Sequence, residues 1–483
     1  MTAPLPPLRR RAIEYGALPI AALAMVQALQ NGEATSLSFA FDGLKKDFHV
    51  SDALLGTLPF AMAIIGLAGA IPFGILADRW WRKWLLAGSM AIWTVCMGIT
   101  GAATGFLFLT IARFSVGIVE ASSPAAISLL ADYYPVRDRA GIMARYQLGG
   151  FLGAVLAGVG VGTAVQLGGW RWAFYTWIPF GIVSTFLLIR CQEPRRGQQD
   201  ADYGADLAAA STGGIGTSEF IAEAGADQDL LLVAKKAVLP PPKRTSTVDY
   251  ASLTTREVLR ELRKVPSMWY GVISITVAQL LLSAMSTWAF PYFQRVHHLS
   301  AATAGAVMSL LSIGAAGGIL TGGMLSDRFL QRGWINGRVW LIAVGSVLAT
   351  VILMPGFAST NLWITAPLFL VGGFFITMPI APSEAMVADV VVCELRGRAA
   401  TVRSIVRTLS SGGGTIVGVM IGAFGGGANG TRLAIVWFMP IFAIGGLLVL
   451  FALRSYGSDL AFVLAEADRT RGGLHEEAEV VTA

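Results

Sequence analysis

Long apolar runs without a charged side chain constrain this chain more than any other feature. Residues 53–77, 301–326 and 433–453 contain no Asp, Glu, Lys or Arg. A helix needs about 20 apolar residues to cross the hydrocarbon of a bilayer. Because the hydrocarbon holds no water, a spanning segment must satisfy its own backbone hydrogen bonds, which excludes open sheets. The runs therefore predict a membrane protein built from helices.

The composition supports the same class. Hydrophobic residues make up 54% of the 483 residues and charged residues 14%, whereas soluble proteins carry about 25% charged residues. The net charge is +6, but the cations fall in loops between apolar runs. We interpret them as signals of membrane topology and expect no nucleic-acid partner. The three cysteines show no paired spacing, so no disulfide or metal site is expected.

The apolar runs recur as twelve predicted membrane spans in two sets of six. The first set covers residues 16–42, 52–77, 84–103, 105–132, 138–166 and 171–191. The second set covers residues 267–294, 301–326, 337–357, 361–390, 397–424 and 432–454. The predicted fold class is an all-α membrane protein with twelve transmembrane helices in two six-helix halves.

Polar segments divide the chain around these spans. The predicted parts are a tail at 1–15, a first half at 16–191, a linker at 192–265, a second half at 266–454 and a tail at 455–483. Basic residues concentrate in the loops that follow even-numbered spans. Since positive charge stays inside, the linker and both tails are predicted to be cytoplasmic, in a protein that crosses the cell membrane many times.

The end of the linker has the pattern of a short amphipathic helix. Val258, Leu259 and Leu262 form an apolar stripe. The cations around it are Arg256, Arg260, Arg263 and Lys264. Two interpretations stay open, a helix on the inner membrane surface and an ordinary lead-in to the seventh span.

Two motifs occur twice in the chain, in the same order. Gly74-Ile-Leu-Ala-Asp78-Arg79 recurs as Gly323-Met-Leu-Ser-Asp327-Arg328. An Ala-Asp pair followed by Arg occurs at 131–139 and again, with the same internal spacing, at 388–396. These echoes indicate duplicated halves, and such repeats place a substrate site between them near the middle of the bilayer.

The first motif, extended to Gly74-x-x-x-Asp78-Arg79-x-x-Arg82-Lys83, resembles the signature of the major facilitator superfamily between its second and third helices. Trp81 stands where a glycine is common. The resemblance implies a secondary transporter with alternating access, in which this cluster latches one conformation. Gly74 permits close helix approach, and Asp78 can accept hydrogen bonds from the start of a neighbouring helix.

A closer resemblance is to the Spinster-like branch of that superfamily. Arg113-Phe-Ser-Val-Gly117-Ile-Val-Glu120-Ala121-Ser122 is similar to its Arg-x-x-x-Gly-x-Gly-Glu-Ala-Ser, and Trp288-Ala-Phe-Pro291 also resembles its pattern. Where the branch has Asp-Arg in the first helix, this chain has Glu33-Ala34. The resemblance implies an amphipathic or lipid-like substrate, such as a lysolipid. Residues 113–121 and 169–172 also resemble the anion:cation symporters, so uptake of an organic anion stays open.

Arg113 and Glu120 are predicted to form a proton-coupling site with Glu33. Arg113 and Glu120 are seven positions apart and lie on one helical face. A charge in hydrocarbon costs at least about 2.5–3.5 kcal/mol, so both must face the bundle interior. Movement of Arg113 would switch the proton affinity of Glu120, although a permanent ion pair is the alternative. Glu33 is either a substrate contact and second proton site or a residue near the outer water.

Further substrate contacts are predicted in the second half. Glu384 follows two prolines in the tenth span, and Arg407 could anchor an anionic head group. These two side chains could instead pair with each other. Trp288 is predicted to line the cavity near Pro291, although packing explains most aromatic residues in these spans.

Residues at the inner helix ends are predicted to form a gate by means of salt bridges and close helix contact. This group comprises Gly74, Asp78, Arg79, Arg82, Asp132, Arg139, Arg145, Asp327, Arg328, Asp389 and Arg396.

Nothing in the chain favours an enzyme. It has no His-Glu-x-x-His and no phosphate-binding Gly-x-x-x-x-Gly-Lys loop. We therefore expect a monomeric transporter without cofactor or metal, whose partners are a small-molecule substrate, protons and membrane lipids. A membrane sensor that does not transport is the alternative from another class.

Overall fold

The structure is a computed structural model, and it describes one chain with gaps. The described ranges are 16–79, 81–120, 123–134, 139–194, 240–242, 255–392, 395, 406, 408–463 and 465. Within these ranges the chain forms helices joined by turns, and no strand occurs there.

Helices on the first half fall where hydropathy predicts them. They are α1 (Leu18–Phe48), α2 (Asp52–Arg79), α3 (Arg82–Gly101), α4 (Phe106–Glu120), α5 (Ser123–Tyr133), α6 (Arg139–Leu156), α7 (Gly162–Gly168), α8 (Trp172–Tyr175) and α9 (Ile178–Arg190). A π-helical segment, Ala157–Val161, joins α6 to α7.

The second half begins with a short helix before its first span. Its helices are α10 (Thr255–Arg263), α11 (Pro266–His297), α12 (Ala301–Gln331), α13 (Gly337–Ala358), α14 (Leu362–Thr377), α15 (Ile380–Asp389), α16 (Gly413–Ala423), α17 (Gly427–Phe438) and α18 (Pro440–Leu448). A 3-10 segment, Val449–Arg454, follows α18, and residues 456–463 form the last helix, α19.

Each of the twelve predicted spans contains helical residues. In the described part of the chain, nine helical stretches are long and apolar enough to cross a membrane, and Phe106–Ile118 and Thr408–Ala423 are shorter apolar helices. The tenth and twelfth spans are each broken into two helices beside Pro379 and Pro440, because proline lacks the N–H that a helix interior requires.

The helices group into two compact units that do not coincide with the two halves. Unit 1 contains residues 1–33, 65–154 and 171–224. Unit 2 contains residues 34–64, 155–170 and 225–483. Unit 2 therefore holds two segments of the first half together with the whole second half.

One end of unit 2 is recognised by its turns. Residues 49–51 join α1 to α2, and residues 298–300 join α11 to α12. We call this the hairpin end. The linker end of each unit is the end at which its helices lead into or out of residues 192–265.

Helix α10 packs on the rest of unit 2 at the linker end of that unit. Val258 and Leu262 are buried in an apolar cluster that includes Met268 and Tyr456. The indole Nε1 of Trp269 donates to the backbone oxygen of Leu262 at 3.0 Å. Protein covers these two side chains of the stripe, so they do not face a membrane, while Leu259 is 40% exposed. Whether the helix lies on the membrane surface stays a prediction.

Candidate functional site

A fully buried ion pair lies inside unit 1. Arg113 on α4 and Glu33 on α1 both have side chains that are 0% exposed, and the Nη1 of Arg113 contacts the Oε1 of Glu33. The guanidinium carbon lies 5.6 Å from the ring centre of Phe174, a cation–π distance. We call these two charged side chains the Arg113 pair.

The Arg113 pair has unused hydrogen-bonding capacity. Within the described residues, neither carboxylate oxygen of Glu33 and none of the three guanidinium nitrogens of Arg113 has a partner of hydrogen-bond geometry. The ionic contact is therefore close but poorly directed. A buried polar group left without a hydrogen bond costs about 1–3 kcal/mol, and a charged group costs more. An added donor or acceptor would be strongly stabilised at this point.

The described partner of Arg113 is Glu33, whereas the predicted partner was Glu120. Glu120 ends α4, but its side chain lies outside the described residues, so its pairing with Arg113 stays a prediction. The pairing of Arg113 with Glu33 was not predicted. Because Glu33 is fully buried, it does not lie in the outer water in this conformation.

Uncharged polar side chains form a strip on α1 and α6. Gln27 Nε2 donates to Gln147 Oε1 at 3.3 Å, and Asn31 Nδ2 donates to the backbone oxygen of Gln27 at 3.0 Å. Asn31 and Gln147 are exposed. Polar groups at membrane depth face protein or a water-filled cavity. We call these three residues the amide strip, which sequence reasoning did not assign to a substrate site.

Charged residues meet at the hairpin end of unit 2. Arg295 Nη2 lies 2.5 Å from Asp42 Oδ1 and 2.9 Å from Asp52 Oδ1. Lys45 Nζ lies 2.6 Å from the other oxygen of Asp52. These four residues are the Arg295 cluster. The two carboxylates belong to the first half and Arg295 to the second, so the cluster joins the halves within unit 2.

Glycine backbones make contact at the same end. A Cβ placed on Gly305 would lie 1.9 Å from the backbone oxygen of Gly158, and one on Gly56 would lie 2.6 Å from that of Gly414. Only glycine permits such an approach. In both contacts a helix of the first half touches a helix of the second half.

Trp288 lies within this packing. Its Nε1 donates to the Gly414 oxygen at 2.7 Å, and its ring centre is 5.3 Å from that of Phe41. The indole is 0% exposed, and residues 287–293 of α11 and 35–41 of α1 are all buried. The substrate contact predicted for Trp288 thus requires a different conformation and stays a prediction.

A second type of charged cluster lies at the linker end of unit 1. Arg82 Nη1 is 2.5 Å from Asp132 Oδ2, and its Nε is 3.4 Å from Glu193 Oε1. Glu193 also accepts from the backbone N–H groups of Arg82 at 3.1 Å and of Lys83 at 2.7 Å. Its carboxylate therefore caps the positive start of α3. The three charged side chains Arg82, Asp132 and Glu193 form the Arg82 cluster.

Unit 2 has a counterpart at its own linker end. Arg338, the second residue of α13, contacts Asp389 at the end of α15 and donates from Nε to Ser326 Oγ at 3.0 Å. The hydroxyl of Tyr456 donates to Asp389 Oδ2 at 2.5 Å. Burial, and then the Asp389 charge, raise the pKa of the Tyr456 phenol well above its usual value, so it remains a donor. Arg338, Asp389 and Tyr456 form the Arg338 cluster.

The predicted gate residues have varied surroundings. Asp132 and Asp389 pair inside the half that contains them, with Arg82 and Arg338, and sequence reasoning missed Arg338 altogether. Asp327 is 64% exposed and lies 3.5 Å from Arg338. Arg145 and Arg328 are exposed, and Glu384 on α15 is half-buried. The side chains of six residues with a predicted role lie outside the described part of the chain, so their roles stay predictions. These residues are Gly74, Asp78, Arg79, Arg139, Arg396 and Arg407.

The family follows from comparison with known proteins. A profile of the Major Facilitator Superfamily matches residues 23–414. The chain belongs to this superfamily and is a multi-pass membrane transporter with its all-α fold.

Curated relatives are similar over different lengths. The protein spinster of Drosophila melanogaster is 26% identical over 38% of this chain, a match that spans 31% of spinster's own length. A probable galactarate/D-glucarate transporter, GudP of Escherichia coli (strain K12), is 23% identical over 78% of this chain and 80% of its own.

Among solved structures, a bacterial homolog of the human lysosomal transporter Spinster in an inward-facing, unoccupied conformation is similar in fold. Its TM-score is 0.72 at 20% identity, and the match covers 92% of this chain and 98% of that one. The predicted resemblance to the superfamily and to its Spinster-like branch is confirmed.

Proposed function

We propose that this chain is a secondary active transporter that couples protons to the movement of an amphipathic, lipid-like molecule by alternating access. One observation carries the proposal: the Arg113 pair is fully buried and its hydrogen-bonding groups are unsatisfied within the described residues. A permanent structural pair would gain most from complete hydrogen bonding. An ion pair whose members bind other partners during the transport cycle needs hydrogen-bonding groups that are not already satisfied.

The coupling step follows from the chemistry of the pair. When an anionic group of the substrate binds the Arg113 guanidinium, Glu33 loses its counter-charge. A buried carboxylate without a cation favours its protonated form. Glu33 would then take up a proton as substrate binds and release it when Arg113 returns. Glu120, two helical turns along the same helix, would serve as a second acid on this route.

Contacts at the hairpin end support access from one side at a time. There, the Arg295 cluster and the glycine contacts join the first half to the second within unit 2. On α1, residues 35–41 are buried while Asn31 and Ala34 are exposed. With the linker cytoplasmic, the closed hairpin end of unit 2 would lie at the outer face of the cell membrane.

The lipid-like substrate rests on the similarity to spinster and on the apolar surroundings expected of a membrane cavity. Its head group would be anionic or zwitterionic, to suit Arg113. Glu384, Arg407 and Trp288 are proposed as contacts from the second half, with Trp288 uncovered only after the hairpin end opens. The linker-end residues predicted to form the inner gate would join the halves only when that end closes, whereas the Arg82 and Arg338 clusters would persist inside a half.

A second candidate is the uptake of a small organic anion with a cation. The amide strip favours it, because exposed amides in a membrane span suit a ligand with many hydroxyl groups. The similarity to GudP over most of both chains adds support.

A ligand screen followed by transport separates the two candidates. Thermal stabilisation of the purified protein would be measured with lysolipids and with hydroxylated dicarboxylates. Flux of each stabilising ligand would then be measured in proteoliposomes with and without a pH gradient. We expect a lysolipid to be moved and a proton gradient to accelerate it. Stabilisation and transport by the dicarboxylates alone would establish the second candidate, and binding without flux would indicate a sensor.

Variants at the carboxylates test the coupling. Glu33→Gln should abolish acceleration by the pH gradient while counterflow of labelled substrate continues, and Glu120→Gln should reduce the acceleration. Glu261→Gln, which removes a carboxylate on α10 outside the spans, is the control and should behave as wild type. Full acceleration in Glu33→Gln would contradict the proposed role of the Arg113 pair.

A further inference from the structure

The face of α10 opposite its buried stripe carries three arginines. Arg256, Arg260 and Arg263 are spaced four and three positions apart, so their side chains lie on one side of the helix. All three are exposed. Within the described part of the chain, none of them forms an ion pair or hydrogen bond, whereas the neighbouring Lys264 binds Glu261 at 2.6 Å. We call these three residues the arginine face.

The orientation of the arginine face is fixed by the packing of the helix. Val258 and Leu262 are 2% and 1% exposed in the unit 2 cluster, so α10 cannot rotate without uncovering them. Leu259, which lies among the arginines, is 40% exposed. The outward side of α10 therefore presents three cations around one apolar side chain.

This face lies beside the membrane boundary. Helix α11, which is long and apolar enough to span a bilayer, begins at Pro266. Three residues beyond Arg263 cover at most about 10 Å. Trp269, in the first turn of α11, is half-buried and holds the end of α10 through its indole N–H. Trp side chains favour the interface between hydrocarbon and water.

We propose that the arginine face binds the anionic phospholipid head groups of the leaflet at which α11 begins. A guanidinium binds phosphate oxygens with two parallel hydrogen bonds, and the Leu259 side chain can enter the interface between them. Cations beside a membrane surface attract anionic lipid in proportion to their number, and three of them favour the bound state by about a hundredfold. The partner is a lipid surface, which holds α10 in its docked position.

The test uses the full-length protein in vesicles of two compositions. One contains only phosphatidylcholine, and the other contains phosphatidylcholine with phosphatidylglycerol. Hydrogen exchange of the amides at 255–264 is measured by mass spectrometry. We expect phosphatidylglycerol to slow this exchange by about tenfold or more at low salt, and raised ionic strength to remove most of the effect.

Matched variants separate this face from general positive charge. The test variant combines Arg256→Gln, Arg260→Gln and Arg263→Gln, and its exchange should be the same in both vesicles. The control combines Lys46→Gln, Arg190→Gln and Arg332→Gln, which are exposed cations on other segments of the chain, and should respond as wild type. Equal melting temperatures of the two purified variants show that both fold.

Three results would overturn the proposal. The first is an exchange rate in the wild type that is independent of phosphatidylglycerol, and the second is an equal loss of response in both triple variants. The third is slowing of exchange by inorganic phosphate in phosphatidylcholine vesicles to the same extent, which would assign the arginine face to a soluble anion.

Discussion

The Arg295 cluster and the two linker-end clusters use the same kinds of side chain but connect different parts of the chain. Arg295 lies in the second half and binds two carboxylates of the first half. Arg82 and Arg338 each bind an aspartate of the same half. Each of these two arginines lies at the start of the third span of its half, and each aspartate lies at the end of the fourth span. The two linker-end clusters are thus equivalent ion pairs at corresponding positions of the two halves.

This difference indicates which charges must exchange partners. Alternating access moves one half against the other, so contacts that join the halves break in each cycle. Contacts inside a half can persist and hold its helices together. The Arg295 cluster should therefore control the conformational equilibrium, and the Arg82 and Arg338 clusters should control stability.

Arg338→Gln should have the largest effect, and the effect should be on stability. Among the described residues it leaves the buried Asp389 with Tyr456 and without a cation, and breaking a buried ion pair costs about 3–5 kcal/mol. Thermal unfolding in detergent should show a large fall in melting temperature. Arg332→Gln, an exposed arginine of the same region, is the control. Since Asp389→Asn removes the stranded charge, the double variant should recover part of the loss, and no recovery would contradict an ion-pair origin.

Gly305→Ala should have the next largest effect, on conformation. Its Cβ would lie 1.9 Å from the Gly158 oxygen, and such overpacking costs about 1–3 kcal/mol or more. The hairpin end should open and transport should fall by about tenfold or more. Opening is measured by the reaction of a Ser38→Cys variant, in a background free of other cysteines, with an impermeant thiol reagent.

A glycine in the π-helical segment provides the control for this substitution. Gly160→Ala adds the same methyl group where nothing lies within 4 Å. It should leave transport and Ser38→Cys labelling unchanged. Equal effects of the two substitutions would show that the Gly305 contact does not close the hairpin end.

Arg295→Gln should shift the same equilibrium by a smaller amount. Asp52 is 5% exposed and would keep only Lys45, while Asp42 is 36% exposed and can be hydrated. We expect the substitution to destabilise the closed hairpin end by about 1–2 kcal/mol, which is less than the cost of breaking a fully buried ion pair. Labelling of Ser38→Cys should rise while the melting temperature changes little. A fall in melting temperature without a rise in labelling would place Arg295 with the stabilising clusters.

Lys45→Gln should have the smallest effect of the series. The Lys45 side chain is 40% exposed, and ion pairs exposed to solvent contribute about 0–1 kcal/mol. Labelling of Ser38→Cys should rise only slightly, and the rise should disappear at high salt. An effect as large as that of Arg295→Gln would mean that Lys45, and not Arg295, holds Asp52.

Hydropathy alone predicted the helices well, because an apolar run long enough to cross a bilayer has one stable backbone conformation there. The buried position of Arg113 was also predictable from the cost of a charge in lipid. Its partner was not. Helical periodicity places Glu120 on the same face of the same helix, but it does not say which neighbouring helix that face meets. Glu33, on α1, could be paired with Arg113 only in three dimensions.

The linker-end clusters show the same limit. The repeated Ala-Asp motif predicted Asp132 and Asp389 as equivalent residues, and the structure gives them equivalent arginine partners. Those partners, Arg82 and Arg338, lie at the starts of α3 and α13, where Arg82-Lys-Trp-Leu-Leu-Ala87 recurs as Arg338-Val-Trp-Leu-Ile-Ala343, an echo that the prediction did not use. A comparison of the two halves at a spacing set by Asp132 and Asp389 would have found Arg338, since it follows Arg82 at nearly the same offset.

A pair of engineered cross-links tests the central claim most directly. A Cβ on Gly158 would lie 2.0 Å from Ser309 Oγ, across the two halves, and one on Gly181 would lie 2.2 Å from Thr94 Oγ1, within the first half. Because a Cβ on Gly158 also lies 2.5 Å from the Gly305 oxygen, the reduced form of Gly158→Cys with Ser309→Cys should transport more slowly than the wild type. Oxidation should abolish the counterflow that remains, and reduction should restore it. Gly181→Cys with Thr94→Cys should transport in both states. If oxidation of the cross-half pair left counterflow intact, the hairpin end would not open during transport and the account would be wrong.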